Sequence, residues 1–159
     1  MNAIEKLVKN LNILFDKLND KYDINYGGCC FVAYIIAKEL EKRELYDFNL
    51  RIYGYNIFNY SEQELRNNII NNIDDVPCKY HTVSHYSIVY NDIYEINSRD
   101  NDEDSDFIDI YNLNSFDIKR IYDYGDWNCA YSISNNIYVE RFIKIIFNNY
   151  DKESKNNQM

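Results

Sequence analysis

Apolar residues recur at helical spacing from the start of the chain. Ile4, Leu7, Val8, Leu11, Leu14, Phe15 and Leu18 share one face, which predicts an amphipathic helix over 3–18. The following segment, 19–28, is rich in turn formers and ends in Gly27-Gly28. A second helix is expected from Cys29 to about Arg43, with Val32, Ala33, Ile36, Ala37 and Leu40 on its apolar side. The period then shortens to two. Phe48, Leu50 and Ile52 alternate with other residues over 48–55, so that run reads as a strand. Ser61 and Glu64 form a capping-box pattern for a third helix over 62–74, whose face is Leu65, Ile69, Ile70 and Ile73. Pro77 marks the break after it.

Two β-rich runs, 82–90 and 93–97, flank Asn91-Asp92 and predict a hairpin. The acidic stretch Asp100 to Asp109 reads as a solvated loop. Short strands are expected over 118–122 and 129–133. Asn135 or Asn136 is expected to cap a last helix ending near Asn149, before a polar, frayed tail over 151–159. No repeat or linker interrupts the pattern. The expectation is one α+β domain over 1–150, with N-terminal helices packed on an antiparallel sheet.

Charge narrows the classes of partner. The formal net charge of −9, with no basic stripe interleaved with aromatics, argues against nucleic acid and against an anionic membrane surface. No apolar run approaches the roughly 18 residues of a membrane span. Met1 to Asn10 lacks the apolar core of a signal peptide. Four cysteines, one vicinal pair among them, do not make a disulfide framework in a chain of this length, so a reducing cytoplasm is expected. The Asn-, Ile- and Tyr-rich composition suits an AT-rich genome such as that of a phage, a giant virus or a low-GC bacterium. A viral protein would then reside in host cytoplasm or virion.

No cofactor is expected. Asp100 to Asp106 alternates like a calcium loop, but Ser105 stands where that loop needs glycine and Tyr111 where it needs glutamate. The cysteines at 29, 30, 78 and 129, with His81 and His85, lack paired zinc-ligand spacing.

The chemistry concentrates in two places. In Tyr26-Gly27-Gly28-Cys29-Cys30-Phe31-Val32-Ala33, the glycines permit a sharp turn and close approach of a substrate to the backbone. A cysteine in the first helical turn meets unpaired N–H groups and the positive end of the dipole, which favour a thiolate and an oxyanion. Cys29 is in phase with Ala33, Ile36, Ala37 and Leu40; Cys30 is rotated by one residue. Cys29 is therefore the expected nucleophile, with Gly28, Cys30, Tyr26 and Trp127 assigned to the oxyanion site and substrate groove. In the second place, alternation puts His81, Val83, His85, Ser87 and Val89 on one strand face. A loop of Tyr90, Asn91 and Asp92 would pair Val89 with Ile93 and His85 with Asn97, while a two-residue loop would turn Asn97 away. The first register is chosen because it lets Asn97 orient His85 as a general base, with Glu95 in reserve.

This order resembles the papain-like and transglutaminase-like cysteine hydrolases, over about residues 25–99. The resemblance is carried by Tyr26-Gly27-Gly28-Cys29 with Ala33, by His85-Tyr86-Ser87-Ile88-Val89, and by Tyr94-Glu95-Ile96-Asn97-Ser98. It is similar above all to small phage-type members of that group. The resemblance implies a Cys29–His85–Asn97 triad and acyl transfer on a peptide, isopeptide or glutamine amide. A catalytically silent viral or phage interaction protein on the same fold is the alternative.

Overall fold

Asn2 opens the first helix by accepting a 2.8 Å hydrogen bond from the Glu5 amide. In this computed structural model, which describes residues 1–54, 61–71, 83–98, 106–124 and 131–157, helix α1 spans Ala3–Tyr22. It ends where Asp23 turns left-handed, at φ 57°. The segment expected as an open turn is a single π-helical turn, Ile24–Gly28, which feeds straight into helix α2, Cys29–Lys42.

Helix α2 is the centre of the molecule. Cys29, Cys30, Phe31, Val32, Ala33, Ile35, Ile36, Ala37 and Leu40 are all buried. The reason is its neighbours: α2 packs against a strand on one side and two later helices on the others. Each fully buried Ile or Leu contributes about 1.5–3 kcal/mol through lost apolar exposure.

Strand β1, Phe48–Gly54, lies inside a four-stranded antiparallel sheet of order β3-β2-β1-β4. The others are β2 (Val83–Tyr90), β3 (Tyr94–Ile96) and β4 (Phe107–Tyr111). Helix α3, Glu62–Asn71, follows β1 and starts as its capping residues require, the Glu64 amide donating to Ser61 Oγ at 3.1 Å. The alternation expected for β1 holds: Leu50 and Ile52 are paired with Ile88, Tyr86, Ile110 and Ile108 on one face. That face meets the helices in a single core.

Five expectations need correction. The hairpin turn is Asn91-Asp92-Ile93, and Tyr90 pairs with Tyr94, so the register is displaced by two residues from the expected one. Left-handed Asn91 and Asp92, at φ 54° and 57°, pay for that turn cheaply because asparagine and aspartate tolerate positive φ. The acidic stretch contains β4, whose Asp109 faces a cation across the sheet. The run expected as a strand over 118–122 is helix α4, Ser115–Tyr124. Its Ile118 and Ile121 fall at helical spacing into the core, and Asn114 and Asp117 cap each other's amides. Ile133 likewise starts a short 3₁₀ turn, Ile133–Asn135, rather than ending a strand. The last helix, α5, runs Asn136–Asn157, so most of the expected frayed tail is helical. Asp151 and Glu153 hold it down through ion pairs with Arg43 and Lys6.

Helix α1 packs on α5 and on edge strand β3. No helix among the described residues is long and apolar enough to cross a membrane.

Candidate functional site

Cys29 is the first residue of α2, as the glycine pair suggested. Its surroundings differ from those of an open helix start. The chain arrives through a π turn, whose hydrogen bonds reach carbonyls five residues back and so engage amides that an isolated N-terminus would leave unpaired. Gly28 is not a gap for substrate: a Cβ there would lie 2.8 Å from Cδ1 and 2.9 Å from Cγ of Tyr131. The glycine is needed for ring packing. Cys29 is 4% exposed.

Cys30, assigned to the oxyanion site and groove, is fully buried, and its Sγ lies 3.9 Å from the Ile118 carbonyl oxygen on α4, so α2 is covered on that side as well. Tyr26 stands in the π turn. Trp127, His81, Cys78 and Cys129 lie outside the described residues.

The second half of the expected site is on β2. His85 pairs with Tyr53 across β2 and β1, and their rings are 5.7 Å apart. Tyr53 belongs to the face that carries Arg51, Asp109, Ser87 and Glu95, opposite the face of Leu50, Ile52 and Ile88. The residue of β2 that enters the helical core here is Tyr86. Strand alternation therefore sets the His85 ring on the sheet face that carries Tyr53, while Cys29 starts α2, which packs on β2. The physical reason for the side the ring takes is parity: a strand residue reaches one face or the other, and the core claims the even positions. The ladder also shifts between Tyr53 and Gly54, where Gly54 pairs with Val83 and Ser84 is the extra residue, so a single alternation cannot extend from His81 to Val89.

Asn97 does meet His85, through a different atom from the expected one. The His85 Nε2 is 2.6 Å from the backbone carbonyl oxygen of Asn97. A carbonyl accepts only, so Nε2 carries the proton. The Asn97 side chain has its Nδ2 buried without a hydrogen-bond partner. Asn97 itself is left-handed, at φ 65°, and its amide donates to Asn12 Oδ1 at 2.7 Å. Asn12 Nδ2 donates in turn to the Glu95 carbonyl at 3.1 Å. An asparagine on α1 thus ties down the end of β3, a tie that no local sequence signal announced.

Glu95, named in reserve as the orienter, is the centre of a polar ladder. It accepts hydrogen bonds from Tyr53 Oη and, at 2.7 Å, from Ser87 Oγ, and it pairs with Arg51 at 3.2 Å. Arg51 grips Asp109 with two bonds, at 2.8 and 3.0 Å, and lies over the Phe107 ring at 3.9 Å. The bond to Asp109 raises the Arg51 pKa despite burial, so the guanidinium stays charged. Burial, and then the bond to Glu95, push the Tyr53 phenol up to about 12. The ladder was legible only as polar residues at odd positions of β1 and β2. Among the described residues no group of three or more acids, cysteines or histidines converges as a metal site.

The fold class that these elements define is α+β: helices packed on one face of a four-stranded antiparallel sheet. No family model, curated protein or solved structure matches the chain.

Proposed function

We propose that this chain acts by binding another protein, the alternative raised by its sequence, rather than by Cys-His acyl transfer. The observation that carries the reading is an apolar strip left on the outside of α5. Tyr138, Phe142 and Ile145 are spaced i, i+4 and i+7 on one face and are 38–48% exposed. Large apolar side chains in a row on a helix that already has a full core face, through Val139, Ile143 and Phe147, favour an intermolecular contact.

The acyl-transfer reading keeps one supporting observation, the position of Cys29 at the start of α2. The two readings separate by thiol kinetics. Iodoacetamide adducts are mapped on the native protein at neutral pH, alongside His85→Ala and His81→Ala. Binding predicts that Cys29 reacts more slowly than an unhindered thiol and that neither histidine substitution slows it further. Selective fast labelling of Cys29, abolished by either substitution in a folded protein, overturns the binding reading and restores the enzyme.

A further inference from the structure

We infer that the seam between α1 and α5 receives an acidic amphipathic helix from a protein partner, a deepening that rests on the binding reading above. Two contacts fix how the helices align. Lys6 pairs with Glu153 at 2.6 Å, and the rings of Tyr22 and Tyr138 stack with centroids 6.5 Å apart. The helices are therefore antiparallel, and Ile13 lies at the level of Ile145 and Ile146. Ile13 is seven residues from Lys6, two helical turns, so it shares the side of α1 that faces α5. It is 45% exposed. The apolar strip of α5 thus continues onto α1.

Charge selects the occupant. The whole chain is formally −9, yet α1 and α5 together carry eight lysines and arginines against six carboxylates. The acids of α5 are engaged within the fold: Glu140 with Lys38 and Lys144, Asp151 with Arg43, and Glu153 with Lys6. Lys17 and Lys21 follow Ile13 by one and two turns, and Arg141 and Lys152 stand one turn before and two after Ile145; all four are exposed. On α1, Asp20 follows Ile13 by two turns and shares its side, with Asp16 one turn after Ile13, so the cationic edge of the strip is strongest on α5. An apolar row with cations beside it fits a helix whose apolar face is edged by glutamate or aspartate. The strongly acidic remainder of the chain makes an anionic bilayer the poorer match.

The probe is a fluorescent synthetic peptide of about six helical turns, with Leu and Phe on one face and Glu on the other. Its control carries Lys in place of every Glu. Anisotropy should show the acidic peptide binding at least about tenfold tighter than the basic one, with the difference shrinking toward 0.3 M salt. Phe142→Ser with Ile145→Ser should weaken binding about tenfold, and Lys17→Glu with Lys21→Glu and Arg141→Glu should invert the preference. These positions are exposed, and circular dichroism checks that the variants fold. Equal binding of both peptides, or no binding, overturns the inference. So does a strip-dependent dimer in sedimentation, which would make a second copy the occupant, or strip-dependent binding to phosphatidylglycerol vesicles. If peptide binding fails while Cys29 alkylates slowly, only the partner class is lost; fast His-dependent alkylation removes the binding reading itself.

Discussion

At the scale of single residues, the most informative position is Gly28. Its φ of −94° is open to any residue, so backbone freedom is not what requires glycine there. The requirement is space: three atoms of the Tyr131 ring lie within 3.0 Å of where a Cβ would stand. Because Cγ is one of them, the ring cannot swing clear about its own axis. Gly28→Ala should destabilise the protein by about 1–3 kcal/mol. Urea unfolding midpoints check this, and in a double-mutant cycle Tyr131→Ala should recover part of the loss because it removes the ring. A purely catalytic glycine would show no such coupling. His85 teaches the same lesson. Its residue type suggested a base; its neighbours make its Nε2 a buried donor to the main-chain carbonyl of Asn97, after β3.

At the scale of elements, the sheet divides the chain's chemistry in two. Its even positions are apolar and face α2; its odd positions carry the ladder of Arg51, Glu95, Asp109, Tyr53 and Ser87. A partly buried ladder of this kind stabilises modestly, because desolvation offsets much of the attraction. Its signature is a pH dependence. Tyr53 ionises near 10 when unfolded and at about 12 when folded. The folded state therefore keeps a proton that the unfolded state gives up. The contribution is complete below about pH 10 and falls as the pH rises toward 12. Chemical-denaturation midpoints should decline between about pH 10 and pH 12 more steeply in the native protein than in Tyr53→Phe. Equal slopes would show that the phenol is not held by Glu95. Sequence pattern located β1 and β2 correctly but missed β4, because Ile108 and Ile110 are interrupted by Asp109, whose charge makes sense only beside Arg51. It mistook α4 for a strand because Ile118 to Tyr122 is too short to separate one period from the other without the cap at Asn114.

At the scale of the whole molecule, α5 is the clamp. It covers α1 and α2, and its C-terminal turns are anchored by Arg43, which bonds Asp151 through two nitrogens at 2.7 and 2.8 Å and lies over the Phe147 ring. Arg43 also reaches buried Glu39. A chain truncated after Tyr150 should lose the Arg43–Asp151 and Lys6–Glu153 pairs and melt on the order of 5 °C lower. Asp151→Asn should reproduce part of the drop, as differential scanning calorimetry would show. An unchanged melting temperature would mean that the last turns are dispensable.

The sequence by itself determined the helices with strong periodicity, the existence of the hairpin, and the start of α2 at Cys29, because caps, glycines and apolar spacing act within a few residues. It also determined the net charge of −9. Only the tertiary structure decided which side of the sheet each polar residue occupies, that Cys30 is enclosed by α4, and that Asn12 secures Asn97. A shift of one residue in phase moves a side chain from one face to the other, and the packing of distant helices, not local pattern, selects the phase.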